Sequence, residues 1–410
     1  MISPRKGEEF ILTDLRIGQE MSIVIPTHNR SAILTQTLER LRRATSVPGL
    51  EVVVVANACT DDTSSVVAAV GERSLPIRLV EEARPSASIA RNVGAKAAHG
   101  ALLVFLDDDI LVEPGVLAAI AAWYDASDRR SLLVGQIRPL AEHLATPFGA
   151  FRQQALGQVS RQGSPEEVDW FASGLAAVPK ASFVELDGYA ENYPAAGLED
   201  ADFAIRARRA GHRIIFHPGV VGHHNDWAGT TARDFCRRAA NHCSTGPLLA
   251  AGFPDNEHPW GQLVEVNRPA LASDPRSIKL RKGMKAAALA VAADRWLPAV
   301  ADTVTLPHRP RELLFKASVS LAMFGGYQRG LRLHAGRGVP DGVQASQHRK
   351  PDVEATHSGG AATTRVVGGG GGPAGGGPPP PPPAAAGGGA RPPPPPPGRL
   401  VLDDGSVAVL

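Results

Sequence analysis

The sequence predicts an α/β protein with a doubly wound, mostly parallel sheet flanked by helices, a helical C-terminal extension and a disordered tail. Three observations carry this. From Met21 to His99, short β-branched runs alternate with helix-length segments, the pattern of strands joined by crossover helices. One run, Glu51–Ala56 (EVVVVA), is apolar almost throughout, as a strand buried on both faces must be. A later apolar run, Ala101–Leu106, ends directly in Asp107, Asp108 and Asp109. That places a dense anionic cluster at the carboxyl end of a strand, the edge where open α/β sheets bind ligands.

Each element follows from its local pattern. Ser22–Pro26 (SIVIP) is a short strand stopped by proline, and Ser31–Arg43 carries Ile33, Leu34, Leu38 and Leu41 at amphipathic helical spacing. Glu51–Ala56 is the second strand. It ends in the polar turn Asn57–Asp62, which can cap a helix over Thr63–Gly71. Ile77–Val80 reads as a third strand, Ser86–His99 as an alanine-rich helix and Ala101–Leu106 as the fourth strand. Right-handed crossovers bring the loops after these strands to one edge. Beyond Asp109 the pattern loosens. Pro114–Tyr124 is a helix, and Leu132–Ile137 and Val168–Val178 are strands. Asp200–Gly211 is a helix closed by glycine, followed by strands at Arg213–His217 and Pro218–Val221.

The expected organisation is an extension over 1–20, an α/β domain over 21–245, a helical region over 246–330 and a disordered Gly/Pro-rich tail over 331–410. Residues 368–398 hold 13 of the 35 prolines and 12 of the 43 glycines. The proline runs Pro378–Pro383 and Pro392–Pro397 cannot build a core and should form polyproline-II segments.

With 410 residues and a formal charge of +2, the chain has no global basic field to suit nucleic acid. Cys59, Cys236 and Cys243 are too few and too scattered for a disulfide framework. The first twenty residues lack the apolar core of a signal peptide. The apolar run Ala286–Ala293 falls well short of the ~20 residues that span a bilayer. The expected location is cytoplasmic. Peripheral contact with the inner face of the plasma membrane is a further expectation, since Lys279, Arg281, Lys282 and Lys285 precede an apolar stretch and Glu312–Tyr327 forms a second apolar helix. Packing of these helices on the α/β domain is the alternative.

Three adjacent carboxylates repel one another, and a divalent cation with hard oxygen ligands relieves that repulsion. Such a cation can hold a phosphate-bearing substrate. A solvated acidic turn is the plain alternative.

Five motifs then occur in order: Ile25-Pro-Thr-His-Asn-Arg30, Asn57-Ala-Cys-Thr-Asp61, Ala90-Arg-Asn-Val-Gly94, Leu106-Asp-Asp-Asp109 and Gly197-Leu-Glu-Asp200. Together they resemble a family-2 glycosyltransferase of the GT-A fold over roughly residues 21–225. The resemblance implies a nucleotide-sugar donor (a UDP-sugar first), Mn2+ or Mg2+, a glycan or lipid-linked acceptor and transfer with inversion. By the same resemblance Asp107 and Asp109 are the ends of the metal-binding Asp-x-Asp, with Asp109 the direct ligand and Asp108 on ribose or sugar. His223 is implied as a third metal ligand or a diphosphate contact. Asp200 stands at the position of the catalytic base, beside Glu199. As first-turn acids, both could instead simply serve the helix dipole, and Asp202 is a weaker competitor for the base.

Pro26, Thr27 and Arg30 are implied at the base and ribose, although that segment also reads as a plain turn capped by Asn29 or Ser31. Arg91 is implied beside the diphosphate or sugar, or as a brace for the acidic cluster. Gly174 would let backbone approach the sugar, or relieve packing in a strand. Ala56 departs from the family, which commonly has a base-reading aspartate there. Asn57, Asp61 or Asp62 would have to substitute, and Asp61 equally suits a helix cap. The absence of a Gln-x-x-Arg-Trp motif argues for one sugar per encounter. Two rivals remain. A haloacid-dehalogenase-like phosphohydrolase also uses Asp-x-Asp after a buried strand, but its later Gly-Asp-x-x-x-Asp is missing. A non-catalytic nucleotide-sugar binder is the other.

Overall fold

A computed structural model describes residues 21–44, 50–71, 75–155, 163–194, 196–225, 230–255, 258–335, 399–401 and 407–409. The N-terminal extension and both proline runs lie outside the described residues. The elements are β1 (Met21–Thr27), α1 (Ser31–Ala44), β2 (Glu51–Asn57), α2 (Thr63–Gly71), β3 (Ile77–Glu82), α3 (Ala87–Ala97), β4 (Leu102–Leu106), β5 (Ile110–Val112) and α4 (Val116–Ala126). They continue with β6 (Leu132–Pro139), α5 (Pro147–Ala155), β7 (Glu166–Val168), β8 (Leu175–Pro179), α6 (Lys180–Glu185), α7 (Glu199–Arg209) and β9 (Ile214–His224). The helical part holds α8 (Ala232–Cys243), α9 (Gly246–Gly252), α10 (Gly261–Asn267), α11 (Arg276–Ala290), α12 (Ala293–Thr303) and α13 (His308–Leu333).

The main sheet runs β3-β2-β1-β4-β8-β6-β9-β5, with β7 added on β9. Its first half is the parallel, doubly wound arrangement that the alternating sequence demands: β3, β2, β1 and β4 pair in parallel. Apolar residues of β1, β2 and β4 point alternately to two buried layers, so each of these strands is shielded on both faces. Past β4 the sheet is mixed. β8 is antiparallel to both β4 and β6, while β9 is parallel to β6.

Two sequence expectations change in detail. The run Val168–Val178 is two strands, because Trp170–Gly174 leaves the ladder and β8 starts only at Leu175. The two strands foreseen over 213–221 are one eleven-residue strand, β9, whose pairing with β6 jumps from Gly135↔His217 to Gln136↔Val221. Pro218 falls in that irregularity, where its missing N–H breaks no ladder bond.

The helical region shares the core of the sheet domain. Phe315 of α13 packs edge-on to Phe148 at 5.0 Å and lies 5.3 Å from Phe151, both of α5. Val319, Ala322 and Met323 join the same buried cluster as Phe235 and Ala239 of α8. Against α8 the approach is close: a Cβ added at Gly326 would lie 2.1 Å from the Ala240 carbonyl oxygen. Most of the apolar stretch foreseen at Glu312–Tyr327 is therefore covered by protein. No helix among the described residues is long and apolar enough to cross a membrane.

Candidate active site

The chain turns at Asp107–Asp109 because β4 ends against β8 while β5 restarts antiparallel to β9. The Asp107 N–H donates to the Gly174 carbonyl at 3.0 Å, and the Asn225 N–H to the Asp109 carbonyl at 2.7 Å. Thr37 Oγ1 donates to the Asp108 carbonyl at 2.7 Å. This backbone anchoring aims the three carboxylates differently. Asp108 points inward, receiving Thr27 Oγ1 at 2.7 Å and an Arg30 N–H at 2.9 Å. Burial pushes its pKa up to about 7; Arg30 opposes the rise and Asp109 adds to it. Asp109 receives the other Arg30 nitrogen at 2.8 Å and lies 3.6 Å from His224 Nε2. Asp107, the most exposed of the three, receives Arg91 at 2.9 Å.

Arg91 links this turn to the start of α7. Its guanidinium is buried and also reaches Glu199 Oε1 at 3.2 Å. Burial opposes the charge, but Asp107, Asp200 and Glu199 outweigh it and hold the arginine protonated. Glu199 further accepts the Gly197 N–H at 2.5 Å. Asp200 Oδ2 accepts both the N–H (2.9 Å) and the hydroxyl (3.0 Å) of Ser173. Its Oδ1 is buried without a hydrogen-bond partner among the described residues. Burial pushes the Asp200 carboxyl up to about 7, with Arg91 lowering it and Glu199 raising it.

Apart from the inward-pointing Asp108, these carboxylates and arginines face one cleft of about 580 Å³. Of the residues singled out in the sequence, Arg30, Arg91, Asp107, Asp109, Gly174, Glu199 and Asp200 line it. A Cβ at Gly174 would sit 3.0 Å from Ile137 Cδ1 and 3.1 Å from Asp107 Oδ2, so the absence of a side chain keeps that wall open.

Other candidates lie elsewhere. Pro26 is within β1, and Thr27 is buried on Asp108. Asn57 is buried: its Nδ2 donates to the Arg84 carbonyl at 2.7 Å and its Oδ1 accepts the Ser86 N–H at 2.9 Å. Asp61 caps α2 through Thr63 and receives the Ser31 N–H at 3.0 Å. His223 pairs with Glu113 at 2.8 Å, while its neighbour His224 reaches the acidic turn. Successive side chains of a strand face opposite ways, which separates the two histidines.

Sequence reasoning missed several lining residues: His224, Ser173, Trp170, and Arg238 and His242 of α8. Phe235, Arg238 and His242 share the i, i+3, i+7 face of α8, a spacing any amphipathic helix shows. His143 comes from the connection between β6 and α5 and Arg152 from α5 itself, where no motif marks them.

Among the described residues no three of His, Cys, Asp and Glu are already gathered as a metal cluster. The donor types nonetheless suit a divalent cation, since Asp109 and the His224 imidazole adjoin and Asp107 opens into the same cleft. Arg30 and Arg91 now neutralise those carboxylates, so a cation would have to share or displace a guanidinium contact.

Solved structures with related coordinates include a mannosyltransferase from Pyrobaculum calidifontis in complex with GDP-Man and Mn2+ (TM-score 0.48, 20% identity, 76% of this chain and 88% of that one). TarS 1-349 of S. aureus in complex with UDP-GlcNAc is another (TM-score 0.44, 18% identity, 77% and 92%). By sequence, the validoxylamine A glucosyltransferase of Streptomyces hygroscopicus subsp. limoneus is 29% identical over 219 residues, 47% of this chain and 48% of the relative. An uncharacterized glycosyltransferase of Haemophilus influenzae is 37% identical over 91 residues, 22% of this chain and 29% of the relative. The chain thus spans about half the length of the first of these relatives and less of the second. Residues 22–145 match the profile described as Glycosyl transferase family 2, and residues 158–227 that described as the N-terminal domain of galactosyltransferase. The match over residues 22–145 supports a family-2 glycosyltransferase over that part of the chain.

Proposed function

We propose that this protein is an inverting glycosyltransferase. It moves a single sugar from a nucleotide-diphosphate sugar to the hydroxyl of a glycan or lipid-linked acceptor, as in cell-surface glycan or glycolipid assembly. One observation carries the reading: Asp107 and Asp109 open into the same cleft as Asp200, and buried Arg91 ties the acidic turn to Glu199 beside it.

The donor diphosphate lies against the acidic turn, with Arg30 and Arg91 as fixed positive charges. Mn2+ or Mg2+ held there by Asp109, Asp107 and His224 would offset the charge that grows on the departing diphosphate. The acceptor hydroxyl attacks the anomeric carbon on the opposite face as the bond to the diphosphate oxygen breaks. Asp200 takes the hydroxyl proton. Its buried Oδ1 is the oxygen left over once Ser173 has occupied Oδ2, and a carboxyl titrating near neutrality is matched to that task. A single displacement inverts the carbon.

The test is nucleoside diphosphate release from UDP-, GDP- and dTDP-sugars with Mn2+ or Mg2+, run beside Asp200→Asn. Loss of turnover with donor binding retained supports the reading. Phosphate release from simple phosphomonoesters, or undiminished turnover in the variant, defeats it.

A further inference from the structure

Helix α11 is attached along one side and bare on the other. Lys282 is buried and paired with Asp274 at 3.2 Å, and Asp274 is held in turn by Arg268 at 2.7 Å. Leu289 meets the Gly325 region of α13. These contacts fix the helix rotation. Residues 280, 284, 287 and 291 then fall on the opposite face, by the periodicity of the helix. Leu280 is 67% exposed, Met284 64% and Val291 65%, and Trp296 on α12 is 49% exposed with its indole N–H bonded to the Val291 carbonyl. Large apolar side chains this bare, in a row, mark an interaction surface.

The flanks of the row decide its partner. Arg276, Lys279 and Arg281 border it, and from Arg276 to Ala293 the chain contains five Lys or Arg and no Asp or Glu. A protein partner would ordinarily be met with both signs of charge. Along α11 the row of apolar side chains is bordered by cations, which complements a sheet of anionic headgroups over hydrocarbon.

We propose that α11 docks on an anionic lipid surface, with Leu280, Met284, Val291 and Trp296 between the headgroups and Arg276, Lys279 and Arg281 against the lipid phosphates. The surface is separate from the cleft, and the proposal stands whether or not the protein transfers sugar.

The full-length chain is sedimented with vesicles of phosphatidylglycerol and phosphatidylcholine, and with vesicles of phosphatidylcholine alone. Binding at least about tenfold stronger to the anionic vesicles, and weakened by salt, is expected, since each basic residue near such a surface contributes roughly fivefold. Lys279→Glu with Arg281→Glu should remove that preference. Leu280→Asp with Met284→Asp should abolish binding, with an unchanged melting temperature in both variants because the altered side chains are exposed. Equal binding to both vesicles, no binding to either, or retention in the variants overturns the proposal. So does a dimer in sedimentation velocity that Leu280→Asp with Met284→Asp converts to monomer without any vesicle binding, which would make the row an interface between copies.

Discussion

The acidic turn and Asp200 in the first turn of α7 bring carboxylates to one cleft, yet they are paired differently. Asp108 has a partner for each oxygen in Thr27 and Arg30, Asp109 receives Arg30, and Asp107 receives Arg91. Asp200 is bonded on one oxygen only, by Ser173, and keeps a buried oxygen with no partner. Among the described residues no carboxylate oxygen of the acidic turn is buried without a partner, which suits a structural or ligand-holding charge. A carboxylate with an orphaned oxygen pays a desolvation cost that a bound proton relieves. The difference teaches where to look for proton transfer: at α7, with the turn left to hold charge.

That contrast can be broken most sharply at Asp200. Asp200→Asn keeps the Ser173 contacts available but cannot accept a proton, and turnover should fall by ~10²–10⁴ while donor affinity stays within a factor of a few. Steady-state kinetics beside equilibrium donor binding separates the two; a large loss of affinity instead would merge Asp200 with the holding group.

Arg91→Met tests the link between the two regions. Removing one partner from a buried charge pair typically costs 3–5 kcal/mol. The variant should therefore melt well below the parent, measured by circular dichroism, and an unchanged melting temperature would show the link to be dispensable.

The pH profile sharpens the comparison further. With the Asp200 carboxyl raised to about 7, its proton-accepting form is the minority below that pH. Turnover should then rise with pH through about 7 and fall about tenfold per pH unit on the acid side. A profile flat from pH 5 to 8 would remove Asp200 from the base role.

The smallest effect is expected at Thr27→Val, which keeps the shape but strips a hydrogen bond from buried Asp108. A loss of about 1.5–3 kcal/mol is expected for a bond to a charged group, read by denaturant unfolding, with the pH dependence of turnover unmoved.

Much of this site was legible before the fold. The apolar run feeding three aspartates marks β4 and its turn, because a doubly buried strand and an acidic turn have opposite compositions. Ser86 signals the cap of α3, and Glu199 and Asp200 the first turn of α7. The histidines were not legible. His223 and His224 are chemically identical neighbours, and which of them meets Asp109 depends on the phase of β9. That phase is set by pairing Leu111 with His223 and Ile110 with His224, after the irregularity opposite Gly135 and Gln136. Asn57 and Asp61 were ambiguous for a related reason. Their residue types suit ligand binding and turn building equally, and only the tertiary structure shows the turn contacts they make with Arg84, Ser86 and Ser31.

From the amino-acid order alone came the α/β class, the parallel half of the sheet, the acidic turn and the pairing of Glu199 with Asp200 at a helix start, since all of these rest on local periodicity and composition. The tertiary structure decided which side chains meet. The Arg91–Glu199 contact joins residues 108 positions apart, and the orphaned oxygen of Asp200 exists only because Ser173 claims the other. Pairings at that separation are set by strand register and packing, to which each short segment contributes without encoding the outcome.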